Sequence, residues 1–222
     1  MSSPAFRFVL LSGFSLVLIV SGSFLAWREV TPYQWGAAPR AGIFSHLRAE
    51  EVGLPPSLDG MQVVMESCLT ATTSVHGLIQ PDPDRETVLT RCATLADAAV
   101  AAMPTYSFGW YAGAYFGLAL GQAEAGSAWL IRSREAAPSA QWIAEVRVAL
   151  AEDYFALLTE AAQESHRADL ALLAMSQRGV NAIASRYVSD PDFRERITSV
   201  VETLEPDVQR RFLARVRAAM GQ

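Results

Sequence analysis

Lysine is missing from this 222-residue chain, and all eighteen basic residues are arginine. A phosphate-binding P-loop needs a lysine, and Schiff-base or pyridoxal chemistry needs a lysine amine, so those activities are excluded. Cysteine and histidine are scarce, with two Cys and three His. His46, His76 and His166 lie on distant segments with no His or Cys three or four positions away, which leaves no zinc-ligand spacing. Charge is also thin. Charged residues make up 18% and hydrophobic residues 51%, against about 25% charged in an average soluble chain. No basic excess exists either: twenty-three acidic residues leave a net charge of -5, which argues against a nucleic-acid partner. Serine-hydrolase, zinc-protease and dinucleotide motifs (G-x-S-x-G, H-E-x-x-H, G-x-G-x-x-G) do not occur, and no alternating strand pattern stands out. The expectation is an all-α protein with no catalytic residues, no metal and no cofactor, built to hold partners.

What the chain does have begins with a greasy run. Phe8 to Trp27 is twenty residues without a charge, fourteen of them apolar and six Ser or Gly. At about 1.5 Å per residue it matches the roughly 30 Å hydrocarbon layer. Arg7 and Arg28 bracket it, and Trp27 stands where an interfacial aromatic belongs. The reading is a single transmembrane anchor that contacts lipid through residues 8–27, with residues 1–29 as tail and anchor. A cleaved signal peptide is the rival, with Ser21 and Ser23 as the small residues before a cut. One Arg precedes the run and Arg28, Arg40 and Arg48 follow it, which leans toward a cytoplasmic body.

Residues 30–57 read as a linker, because Pro32, Pro39, Pro55 and Pro56 alternate with Gly36, Gly42 and Gly53; one short helical piece fits at Ile43 to Glu51. The remainder, 58–222, reads as a helical domain of about eight helices, near 59–79, 84–102, 106–121, 123–136, 139–158, 163–187, 191–204 and 206–220. Gly179 is the weak point of the sixth. The punctuation repeats: Asp82-Pro83-Asp84, Asp190-Pro191-Asp192 and Glu205-Pro206-Asp207 each offer an acidic N-cap, a proline at N1 and an acid in the first turn. In the last helix Val208, Phe212, Val216 and Met220 recur every four residues and face inward.

Pro104 and Pro138 stand 34 residues apart, the tetratricopeptide period. With Pro138 as the closing proline, Trp110 takes the signature aromatic position, Ala114 the small position of the first helix and Gly121 its end. Gly126, Leu130 and Ser133 take the small, large and small positions of the second helix. Trp142 opens a drifted next repeat, while Gly113 and Gly117 depart from the large residues of the pattern. The stretch from Asp84 to Leu158 thus resembles a divergent tetratricopeptide repeat. The overall plan is also similar to small membrane-anchored proteins associated with bacterial polysaccharide biosynthesis. The residues carrying that likeness are Met103-Pro104 through Trp110-Tyr111-Ala112, Leu118 to Gly121 and Ser133 to Pro138. The resemblance implies a tetratricopeptide-like α-solenoid and an accessory role in making or exporting a surface glycan.

Cys68 and Cys92 fall on consecutive predicted helices, equidistant from a turn near residue 80. An antiparallel hairpin would bring them level, within reach of a disulfide; two reduced, buried cysteines are the alternative. A disulfide would place the body in an oxidising compartment, the periplasm, with the anchor in the inner (cytoplasmic) membrane. That opposes the weak arginine signal, and the cysteines carry more weight.

Tyr106, Phe108, Trp110, Tyr111, Tyr115 and Phe116 crowd one helix. They serve either as core or as a stacking platform, with Trp129 and Trp142 closing the cluster. Gly109, Gly113, Gly117 and Gly121 recur every four residues, fit for close helix packing or for a second membrane helix over 104–123. Three functions follow: a scaffold for surface-polysaccharide assembly with protein partners in a membrane complex; an assembly factor for another inner-membrane complex, respiratory or secretory; or a sugar-processing enzyme using Trp110 with Glu124 or Glu135.

Overall fold

Short polar side chains and prolines punctuate the chain, and helices fill the intervals. A computed structural model describes residues 4–221. Their regular structure is entirely helical, with no strand among the described residues. The chain divides into two compact units, the first ending at Ala98 and the second beginning at Ala99.

The first unit holds α1 (Pro4–Gly36), α2 (Arg40–Ala49), α3 (Leu58–Thr73), α4 (Val75–Leu78) and most of α5 (Asp82–Ala102). Helix α1 has 33 residues, roughly 50 Å at the usual rise. It is the one described helix long and apolar enough to cross a membrane. Every residue from Leu11 to Trp27 is exposed, so nothing among the described residues covers this surface.

The segment expected as a linker, 30–57, is largely helical and part of the core. α1 runs through Pro32 to Gly36, and Pro32 and Trp35 are buried. α2 buries Ile43, Phe44 and Leu47. The difference from the expected linker has a physical cause. Proline and glycine usually break helices, but Pro39 stands at the N-cap of α2, where a missing N–H costs nothing. Gly36 lies against Val63 and Ser67 of α3, so it serves close packing. Only 37–39 and 50–57 lie outside helices. The unit boundary accordingly falls within α5 and not at residue 57.

Cys68 of α3 and Cys92 of α5 are disulfide-bonded, with Cα atoms 5.7 Å apart. Both are fully buried, as are Val64 and Met65 one turn before Cys68 and Val88 one turn before Cys92. Arg91 caps the neighbouring helix from its side, donating to the Leu47 and Glu50 carbonyls at 2.9 Å each.

The second unit continues with α6 (Ser107–Ala119), α7 (Ala123–Ala136), α8 (Gln141–Asp153), a 3-10 turn (Phe155–Leu157), α9 (Glu160–Met175), α10 (Gly179–Ser189), α11 (Pro191–Val201) and α12 (Pro206–Ala219). α6 pairs with α7, α8 with α9, and α10 with α11. Helices α6, α8 and α10 also touch in succession, as do α7, α9 and α11. Two layers of helices result, and α12 packs on α10 and α9. Of its apolar stripe, Phe212 and Val216 are buried, while Met220 is exposed.

The expected sixth helix breaks into α9 and α10 just before Gly179. Ser176 Oγ accepts from the Gly179 and Arg178 amides at 2.9 and 3.2 Å. A Cβ on Gly179 would lie 3.0 Å from the Leu173 backbone, so only glycine lets α10 start this close to α9. Of the three acidic punctuations, Asp190 caps as expected, accepting from the Phe193 amide at 3.0 Å. Glu205 stands at its cap without a side-chain bond, and α5 already includes Asp82.

Candidate partner-binding face

The geometry of the second unit starts at the α6–α7 crossing. Gly113 accepts the ring of Trp129 so closely that a Cβ there would fall 1.8 Å from it. Gly117 meets the backbone of Gly126, and Gly126 meets Leu118. The glycine series is therefore a helix-packing surface within the protein, and α6 has 13 residues, about 20 Å, too short to span a bilayer. Gly121 alone plays another part: its φ of +76° turns the chain out of α6 in the left-handed region that favours glycine.

The expected repeat-core residues divide. Ala114, Leu130 and Ser133 are buried, and Gly126 makes the close contact just described. Trp110 is half-buried, set edge-on against Trp129 with centroids 5.1 Å apart, and its indole N–H donates to the Pro104 carbonyl at 2.8 Å. Pro138 is exposed in the turn between α7 and α8. Trp142, expected in the core, is 53% exposed. It sits in the first turn of α8, and its ring lies 6.0 Å from that of Phe108.

Behind this crossing lies a polar network that sequence reasoning missed. Arg147 of α8, 1% exposed, grips Asp169 of α9 through Nε at 2.6 Å and Nη2 at 2.8 Å. Its third nitrogen donates to the Ser133 carbonyl at 3.2 Å. The Ser133 hydroxyl in turn donates to the Ser107 carbonyl at 2.9 Å, and the Ser107 hydroxyl returns to the Ser133 carbonyl at 2.6 Å. One network thus joins α6, α7, α8 and α9. A signal existed: Arg147 interrupts the buried stripe Ile143, Ala144, Val148 and Ala151, and Asp169 interrupts Ala162, Leu170 and Leu173. A charge on a buried stripe requires a buried partner.

A second buried group pairs Glu152 of α8 with His166 Nε2 at 2.6 Å and with Arg196 of α11, whose Nε lies 3.0 Å from Oε2. The Arg196 guanidinium also covers the Phe155 ring, 4.3 Å from its centroid. Burial pushes the Glu152 carboxyl up, but the bonds from His166 and Arg196 outweigh it and hold the carboxyl below its ordinary value. The pair is enclosed, with side-chain exposures of 1% and 0%, so it braces the fold. A depressed carboxylate stabilises the native state above its unfolded pKa and loses that contribution as pH falls through the folded value. The Glu152→Gln variant is therefore expected to melt below the natural chain at neutral pH. The gap should close as pH drops below about 4, which thermal melts across a pH series would check.

Across α6 and α8, the exposed Trp142 lies beside Phe108 and Tyr111, which are half-buried. Phe108 and Tyr111 stack at 5.6 Å. Burial pushes the Tyr111 phenol up to about 12, with Tyr115 and Asp153 adding to the effect, so it stays a neutral hydroxyl. At the other end of α8, Asp153 pairs with Arg186 of α10 at 3.2 Å. An exposed indole beside a phenyl ring, with a phenol stacked on that ring, suits an apolar or aromatic segment of another protein. The carboxylates considered for sugar chemistry stand on α7: Glu124 is exposed in its first turn, and Glu135 pairs with Arg132 at 2.8 Å. The three histidines stay apart. His46 stacks on Trp35, His76 meets the edge of Phe44, and His166 holds Glu152.

Comparison of the chain with protein-family models, with curated proteins and with solved structures finds no match.

Proposed function

We propose that this chain is a membrane-anchored helical scaffold. Helix α1 spans the inner membrane, and the tetratricopeptide-like helical stack of the second unit takes hold of a protein partner in a cell-envelope assembly. The observation that carries this reading is Trp142, a large apolar side chain exposed on α8 beside Phe108, which itself stacks on Tyr111. Exposed tryptophans with aromatic neighbours are the usual energetic centres of protein interfaces. The layered pairing of α6 to α11 supports the repeat reading, since stacked hairpins leave one layer free to receive a partner segment. The Cys68–Cys92 bond supports a periplasmic body, because such bonds persist in oxidising compartments.

The test places a photo-crosslinking amino acid at Trp142 in the full chain in cells, with Glu195 on α11 as the control site. Discrete protein adducts at position 142 and none at 195 are the expected outcome. No adduct at 142, or the same adducts at both sites, sinks the reading.

The assembly served is read as surface-polysaccharide synthesis or export, on the residue resemblance in Met103 to Pro138. A deletion strain separates the possibilities. Loss of surface glycan supports this assembly, whereas loss of a respiratory or secretory complex assigns the scaffold to that machine.

A further inference from the structure

Where α1 leaves its apolar run, the first unit is already attached to it. Glu29 accepts from the Ser57 amide at 3.2 Å and pairs with the Ser57 hydroxyl, while Arg28 donates to the Leu54 carbonyl. Further along, Gly36 lies against Val63 and Ser67, and Gly60 lies against Glu29. Glu29 and Gly60 are thirty-one positions apart, and so are Gly36 and Ser67. The distal part of α1 and the helix α3 therefore run parallel in fixed register. Extending that register downward sets Leu58 level with Trp27, the aromatic that closes the apolar run.

We propose that the turn Pro56–Leu58 lies in the headgroup–acyl boundary of the bilayer, a second lipid contact beside the exit of α1. This inference rests on the membrane-spanning reading of α1 and adds to it. Three observations fit lipid as the occupant. Leu58 is 43% exposed and Trp27 is 66% exposed, two apolar side chains at one height on adjacent helices. Pro55 and Pro56 bring no N–H that would need water. Ser57, the one polar side chain of the turn, is bound inward, accepting from the Gly60 amide at 2.9 Å while it meets Glu29. Within the turn, Ser57 is bound toward protein while Pro56 and Leu58 are exposed. Because α1 continues unbroken to Gly36, the turn and the span move as one piece. The first unit is held at a set height and tilt instead of swinging on a tether.

The chain's two cysteines are bonded to each other, so one added cysteine gives a unique labelling site. The full chain is purified, an environment-sensitive fluorophore is attached to Leu58→Cys, and the protein is placed in phosphatidylcholine vesicles. Some vesicles carry nitroxide-labelled lipid near the headgroup and others carry it deep in the acyl layer. Val17→Cys marks the span, Thr73→Cys marks the far end of α3, and Pro56→Cys repeats the test one residue from Ser57. Labels at 58 and 56 are expected to be quenched several-fold more by the shallow nitroxide than the label at 73, and label 17 most by the deep one. Deep quenching at 17 with 58 and 56 behaving like 73 overturns the inference and leaves the span intact. Shielding of 58 from aqueous iodide without nitroxide quenching also overturns it, since protein then covers the turn. No quenching at 17 removes the span and the inference together.

Discussion

Replacing Asp169 with alanine is expected to cost the second unit about 3–5 kcal/mol, because it strands a charged guanidinium in the interior. Arg147 is 1% exposed and spends two of its nitrogens on this one carboxylate. Without the partner it must stay charged and dry, or pull its helix open to reach water. Thermal unfolding should shift down by roughly 10 °C or more for a unit of this size. The converse substitution, Arg147→Ala, should cost a similar amount and also remove one of the two donors to the Ser133 carbonyl. Replacing both at once, Arg147→Met with Asp169→Leu, should recover most of the loss, since apolar groups of similar volume need no partner. A melt series on the three variants checks this. Equal stability of the single and double variants would refute the account.

Removing the disulfide is expected to cost the first unit about 3 kcal/mol, by the loop-entropy argument for a bridge across 24 residues. The variant to use is Cys68→Ala with Cys92→Ala. Both sites are fully buried, and alanine leaves no polar atom there. Denaturant midpoints with and without reductant check the size: the natural chain should lose stability on reduction, and the double variant should not respond. An insensitive natural chain would mean that the bond does not form.

The cysteine pairing was legible because a hairpin makes distance from the turn a coordinate, and the prolines near residue 80 marked that turn. Helix positions in 58–222 were legible for a related reason: proline and glycine limit helices through backbone geometry, which acts locally. The same rule misled over 30–57, where Pro32 and Pro39 stand inside and at the start of helices. Trp142 was misplaced because helical spacing tells which residues share a face. It does not tell whether a neighbouring helix arrives to cover that face.

The sequence by itself determined the all-helical class, the one long apolar segment and the level placement of Cys68 and Cys92 on facing helices, because backbone preference and hydropathy are properties of adjacent residues; the bond between the two sulfurs came from the structure. Only the tertiary structure decided that Arg147, Asp169, Glu152 and His166 meet inside the fold, that Trp142 stays outside, and that α1 is joined to the first unit at Arg28 and Glu29. Those outcomes depend on which helices come to lie side by side, and that is set by shape and by the satisfaction of buried polar groups across residues far apart in the chain.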